Sequence, residues 1–154
     1  MCTFGRRVVM TRFKMIADGF AFFIKDNKIL LSRRFNTGHE DGNYGLPAGH
    51  IEDGETLKDG VCREIKEEVG VIVLPTDLHL VHVMHRKKED IRMSFFFLAT
   101  RWLGEFKNME LEKCDDLEWF PLDDLPSNTI SYIRQAIGKY QNNELYSESG
   151  WPAK

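Results

Sequence analysis

Long apolar runs are missing from this chain. The longest, such as Phe95 to Ala99, reach about five residues, far below the roughly 20 that a membrane-spanning helix needs, so no membrane anchor is expected. Cysteine is scarce. The three present, Cys2, Cys62 and Cys114, form neither a CxxC pair nor a Cys/His ligand spacing, which argues against structural zinc and a disulfide framework and for reduced thiols in a cytoplasmic protein. A surplus of positive charge is absent too. The net charge of −3 over 154 residues gives no global basic field to attract nucleic acid. Arg6, Arg7 and Arg12 have no apolar stretch behind them, so no secretory signal is expected. Internal repeats and linker-like breaks are lacking, and the length suits one domain over 1–154 with its core at about 14–140.

What is present is concentrated in one stretch, GHIEDGETLKDGVCREIKEEVGV, the 23 residues from Gly49 to Val71. Glu64, Glu67 and Glu68 stand at i, i+3 and i+4, so on a helix they share one face. Like charges so placed cost a helix roughly 0.2–0.5 kcal/mol per pair, and a cation set between them would offset that cost. Carboxylate oxygens are hard ligands and favour Mg²⁺, Mn²⁺ or Ca²⁺ over zinc. The bland alternative is a solvated acidic face neutralised by Lys58, Arg63 and Lys66. It accounts for the glutamates but not for Gly49, Glu55, Arg63 and Gly70 at their spacings.

With those residues the segment resembles the Nudix box. All nine constrained positions match: Gly49, Glu55, Arg63, Glu64, Ile65, Glu67, Glu68, Gly70 and Val71. At average residue usage a chance match at one start point is on the order of 10⁻⁹ to 10⁻¹⁰. The resemblance implies an α/β fold, a mixed β-sheet sandwiched between helices (α/β/α), and a metal-dependent hydrolase of nucleoside diphosphates linked to another group.

The rest of the chain is compatible with such a fold. Met15 to Ile24 reads as a strand, Asp26-Asn27 as a turn, and Ile29 to Ser32 as the returning strand. Residues 36–45 are a Gly- and Asn-rich loop. A helix is expected from Thr56, its N-cap, with Leu57, Val61, Ile65 and Val69 as apolar stripe and Gly70 as C-terminal stop. Leu78 to Met84 and Ile91 to Trp102 read as strands joined by a charged turn at 85–90, where Arg86-Lys87-Lys88 is better read as solvated than as a phosphate or RNA contact. Leu117 to Pro121 is a last short strand, and a helix runs from about Asn128 to Gln141 with Ile130, Ile133 and Ile137 inward. Residues 142–154 read as a loose tail.

The resemblance also implies roles. Glu67 and Glu68 become metal ligands for Mg²⁺ or Mn²⁺, Glu64 a further ligand or the base, and the Ala48 carbonyl completes the coordination. Glu55 and Arg63 form a supporting salt bridge, with Gly49 and Gly70 as structural supports. A base outside the box is common in the family. Glu110 and Glu112 lie in NMELEKCDDLEWF, similar to a segment of MutT-like nucleotide hydrolases, with Leu111 where proline is typical; Glu112 is the choice of the two. Arg33 and Arg34 are expected to contact substrate phosphates, and Asn128 to read the base. Trp102, Trp119 and Phe35 are stacking candidates, although such aromatics are more often core. The histidines lack ligand spacing.

Among Nudix branches, the proline and tyrosine markers that follow the box in ADP-ribose and dinucleoside-polyphosphate enzymes are absent, and His85 to Glu89 stand there instead. That leaves a MutT-like hydrolase cutting a nucleoside triphosphate to monophosphate and pyrophosphate. Oxidised purines such as 8-oxo-dGTP, ordinary dNTPs and pyrimidine nucleotides stay open, as does a homodimer. The rival readings are another diphosphate substrate (nucleotide sugar, dinucleoside polyphosphate or capped RNA), a non-catalytic ligand-sensing module, and an isomerase on the same fold, which would need further catalytic Cys and Glu positions that the sequence does not display.

Overall fold

The computed structural model describes residues 11–153, apart from the side chain of Ala48. Cys2, Arg6 and Arg7, and with them most of the basic lead-in, lie outside the described residues. The first hairpin forms as its sequence directs. Strand β1 (Ile16–Phe22) leads through the short β2 (Ile24–Lys25) into β3 (Lys28–Arg34). Asp26 and Asn27 make the turn with both φ values positive, 51° and 57°, the conformation a tight hairpin demands and short polar side chains tolerate.

Two further short strands, β4 (Tyr44–Gly45) and β5 (Ala48–His50), precede helix α1 (Leu57–Val69). Strands β6 (Leu78–Lys87), β7 (Ile91–Ala99) and β8 (Cys114–Pro121), helix α2 (Ser131–Gln141) and strand β9 (Tyr146–Ser149) complete the order. A mixed sheet runs β5-β1-β7-β6-β9, with β1 parallel to β7 and β6 parallel to β9. A smaller antiparallel sheet joins β2, β3 and β4, with β8 on β3.

Alternation along β1 divides the core between two helices. Phe20 and Phe22 point to one face with Met84, Phe96, Ile133 and Ile137, the layer under α2. Ala21 points to the other with Val61, Ile65, Val69 and Phe97, the layer under α1. A fully buried Phe, Ile or Val contributes about 1.5–3 kcal/mol, so this pattern decides the three-layer α/β/α arrangement. Helix α1 starts and stops at the expected residues: the Thr56 hydroxyl accepts from the Asp59 N–H, and Gly70 closes the helix at φ 77°.

Two expectations are corrected. Strand β6 continues to Lys87, so Arg86 and Lys87 belong to the sheet and only Lys88 to Asp90 turn; pairing across to Arg92 and Ile91 sustains the strand. The segment expected as a loose tail is tied to the sheet within its described residues. Residues Tyr146–Ser149 add a strand to β6, and the Trp151 indole N–H donates to the His85 carbonyl at 3.1 Å. The buried His82 reaches across with Nδ1 to the Glu144 carbonyl and Nε2 to the Ser147 hydroxyl, both at 2.8 Å. Trp102 and Trp119 pack around Phe106 with ring centroids 5.4 Å away, in the α1 layer rather than at a ligand surface. Among the described residues no helix is long and apolar enough to cross a membrane.

Candidate active site

Helix α1 turns its apolar stripe to the sheet and leaves Glu64, Glu67 and Glu68 on its flank. Strand β5 lies directly against that flank because residue 49 has no side chain. A Cβ there would fall 1.8 Å from Glu64 Cγ, so only glycine lets the glutamate lie across the strand. At Gly60 a Cβ would stand 2.7 Å from Glu55 Oε1, an oxygen that Arg63 holds, and 2.8 Å from Ile51 Cδ1, so one of these side chains would have to give way. Gly60 is a further residue of the site that the box pattern does not mark. Its signal was a glycine inside a helix, which costs about 1 kcal/mol against alanine and so asks for a packing reason.

Arg63 is the hub of the flank. Its Nε and Nη2 donate to the two Glu55 oxygens at 3.0 and 2.8 Å, and Nη2 also reaches the His50 carbonyl at 3.1 Å. Its Nη1 donates to Glu64 at 3.0 Å and Glu67 at 3.2 Å. One guanidinium therefore ties the Glu52–Glu55 loop to the helix and stands between two of the three glutamates. The paired guanidinium holds the Glu55 carboxyl down to about 2, while burial pushes the Glu64 carboxyl up, against the pull of Arg63 and with help from Glu67 and Glu110. In this arrangement, no three acidic, imidazole or thiol groups among the described residues converge on one point. The flank offers only hard oxygen donors, the set a Mg²⁺ or Mn²⁺ ion prefers.

Glu64 and Glu68 line a cavity of about 290 Å³ with Glu110 and Lys113 on one side and Arg33 and Arg34 on another. The pairing of β3 with β8 shifts between Arg33, opposite Asp116, and Arg34, opposite Cys114, which leaves Asp115 as the extra residue of a bulge in β8. Arg33 Nε donates to Asp115 at 2.7 Å, and Arg34 Nε to the His39 carbonyl at 2.7 Å.

A family description, "NUDIX domain", matches residues 15–139. The chain belongs to the Nudix family. An ADP-ribose pyrophosphatase of Methanocaldococcus jannaschii is 40% identical over 105 residues, 66% of this chain and 59% of that protein. An 8-oxo-dGTP diphosphatase of Escherichia coli (strain K12) is 34% identical over 82 residues, 53% of this chain and 62% of that protein. The chain thus spans less than two thirds of the length of either relative. The crystal structure of a MutT Nudix hydrolase from Burkholderia pseudomallei superposes with a TM-score of 0.75 at 29% identity, covering 82% of this chain and 98% of that one.

Within the Nudix frame two expected residues sit elsewhere. Glu110, not Glu112, lines the cavity of the box glutamates. The Asn108 side chain accepts the Glu110 N–H at 3.0 Å and donates to the Cys114 carbonyl at 2.6 Å, which folds the turn so that Glu110 faces Glu64 while Glu112 stays exposed. Asn128 donates its amide to the Gly42 carbonyl at 2.7 Å and lines neither this cavity nor its neighbour; closing the 36–43 loop consumes its side chain. Ala48 pairs with Phe20 in β5, beside Gly49. Phe35 is exposed and lies outside both cavities.

Proposed function

We propose that this protein hydrolyses a nucleoside diphosphate linked to another group, and that the substrate is a nucleoside triphosphate cut to the monophosphate and pyrophosphate. One observation carries the reading: Glu64, Glu68 and Glu110 share a cavity with Arg33 and Arg34, so carboxylates and arginine cations face the same space. Glu64, Glu67 and Glu68, with the Ala48 carbonyl, would hold Mg²⁺ or Mn²⁺, which when bound screens phosphate from carboxylate and makes a bound water more acidic. Arg34 presents its guanidinium to the phosphate chain, with Arg33 beside it. Glu110 accepts the proton of the attacking water. Arg63 and Glu55 keep the helix flank and the preceding loop in register. The likeness to an 8-oxo-dGTP diphosphatase supports the triphosphate reading.

A second reading, a diphosphate carrying a sugar such as ADP-ribose, has one observation in its favour: the 40% identity to an ADP-ribose pyrophosphatase. The deciding experiment follows pyrophosphate and phosphate release with Mg²⁺ or Mn²⁺ over NTPs, dNTPs, 8-oxo-dGTP, ADP-ribose, nucleotide sugars and dinucleoside polyphosphates, with Glu67→Gln as control. Pyrophosphate released from a triphosphate by the wild type and not by the variant is the expected result. Turnover of ADP-ribose alone would replace the substrate class, and silence across the panel would overturn the hydrolase reading.

A further inference from the structure

A second cavity, of about 220 Å³, opens beside the first. The two share Phe20, Arg34, His50 and Tyr132 as common walls, so a ligand with its phosphates among the glutamates can extend into it. At its back lies a polar group in a strand that otherwise reads as core. Asp18 of β1, 6% exposed, binds Arg86 Nη2 at 2.9 Å and Arg92 Nη1 at 3.4 Å through the same oxygen, Oδ2. Arg86 is held at two more points. Its Nε donates to the Ser94 hydroxyl at 2.7 Å, and its guanidinium lies 3.7 Å from the Tyr132 ring centroid. Its Nη1 has no hydrogen-bond partner among the described residues, and Arg86 lines the cavity.

We infer that Arg86, clamped by Asp18, Ser94 and Tyr132, is a specificity-determining residue that reads a keto oxygen on the nucleobase attached to the diphosphate. The inference rests on the nucleotide reading above. A guanidinium is a donor only, so a fixed Nη1 donates to a carbonyl oxygen and is left facing another donor when an amino group takes its place. Phe20 and Tyr132 line the cavity beside it as an apolar wall, the Tyr132 face itself being covered by Arg86. A terminal phosphate is the competing occupant, which the test separates. Asp18 lies behind the guanidinium and shares its Oδ2 between Arg86 and Arg92, so what sets Arg86 apart is the fixed direction of its free N–H group. Asp18 and Ser94 act as positioning residues, because three fixed contacts leave the arginine little rotamer freedom to lose on binding.

The test compares kcat/KM within pairs that exchange keto for amino, ITP with ATP and UTP with CTP, in the wild type and in Arg86→Met. The wild type is expected to prefer the keto member of at least one pair by roughly tenfold or more, and the variant to bring that ratio within about twofold of unity. A ratio that survives the substitution, or a wild type that prefers the amino member of both pairs, overturns the inference. So does an equal loss on every substrate, which would put Arg86 on the phosphates. Where Arg86→Met fails to fold, Ser94→Ala removes one clamp without stranding the Asp18 charge, and an unchanged ratio there overturns the inference equally. Calorimetric binding of IMP against AMP and UMP against CMP repeats the comparison without turnover. If no triphosphate is hydrolysed, the function reading fails, while a keto preference in binding that disappears in Arg86→Met upholds the base-reading role. Equal binding within both pairs by the wild type overturns it.

Discussion

Arg63 meets Glu55 fork to fork, Nε to Oε2 at 3.0 Å and Nη2 to Oε1 at 2.8 Å, across the eight residues that carry the chain from loop to helix. A lysine keeps the charge and loses the fork. Arg63→Lys is therefore expected to lower the melting temperature and to reduce turnover by roughly 10–100-fold, the usual cost of losing a residue that orients metal-holding groups. Thermal melts and steady-state rates on the same preparations check it. An unchanged melting temperature would sink the bracing role.

The same pair makes stability depend on acid. The Glu55 carboxyl is held at about 2 in the folded protein, against an ordinary value of 4.5. A depressed folded value means the contribution is fully present above the ordinary value and is lost as the pH falls from 4.5 towards 2. Wild type should melt above Glu55→Gln at neutral pH, and the gap should close over that window. Melting curves of both proteins at steps through it test this. A gap that is constant with pH would show that the ionised carboxylate is not what matters.

Glu110 and Glu112 are two residues apart and differ in what they face. Glu110→Gln should reduce kcat by about 10²–10⁴-fold, the range for losing a positioned base. Glu112→Gln should leave both kcat and stability near wild type, within roughly 0.5 kcal/mol for an exposed charge. Rates and denaturant midpoints of the two variants decide the assignment. The reverse pattern would return the base to Glu112.

The C-terminal strand is held from inside the fold. His82 donates from Nδ1 to the Glu144 carbonyl, so its Nε2 accepts from the Ser147 hydroxyl. Ser147→Ala strands that buried nitrogen and should cost about 1–3 kcal/mol, read as a lower urea midpoint. A midpoint equal to wild type would mean that the strand docks without this bond.

The chain itself determined helix α1 from cap to stop, the hairpin at Asp26-Asn27, the two-faced apolar pattern of β1 and the acidic flank with its arginine. Each is written in residues near one another in sequence, where helix and strand periods fix which side chains share a face. Tertiary structure alone decided the rest. Nothing local distinguishes Glu110 from Glu112. The choice comes from Asn108 folding the turn against β8. Asn128 is taken by the Gly42 carbonyl, an acceptor 86 residues away. The tail reads as polar and loose because its partners, β6 and the buried His82, lie more than 60 residues earlier in the chain. By its sequence Arg86 reads as part of a solvated basic turn. Asp18, 68 residues before it, pairs with it and with Arg92 across the sheet, because a buried carboxylate needs a cation and only the folded chain brings one within reach.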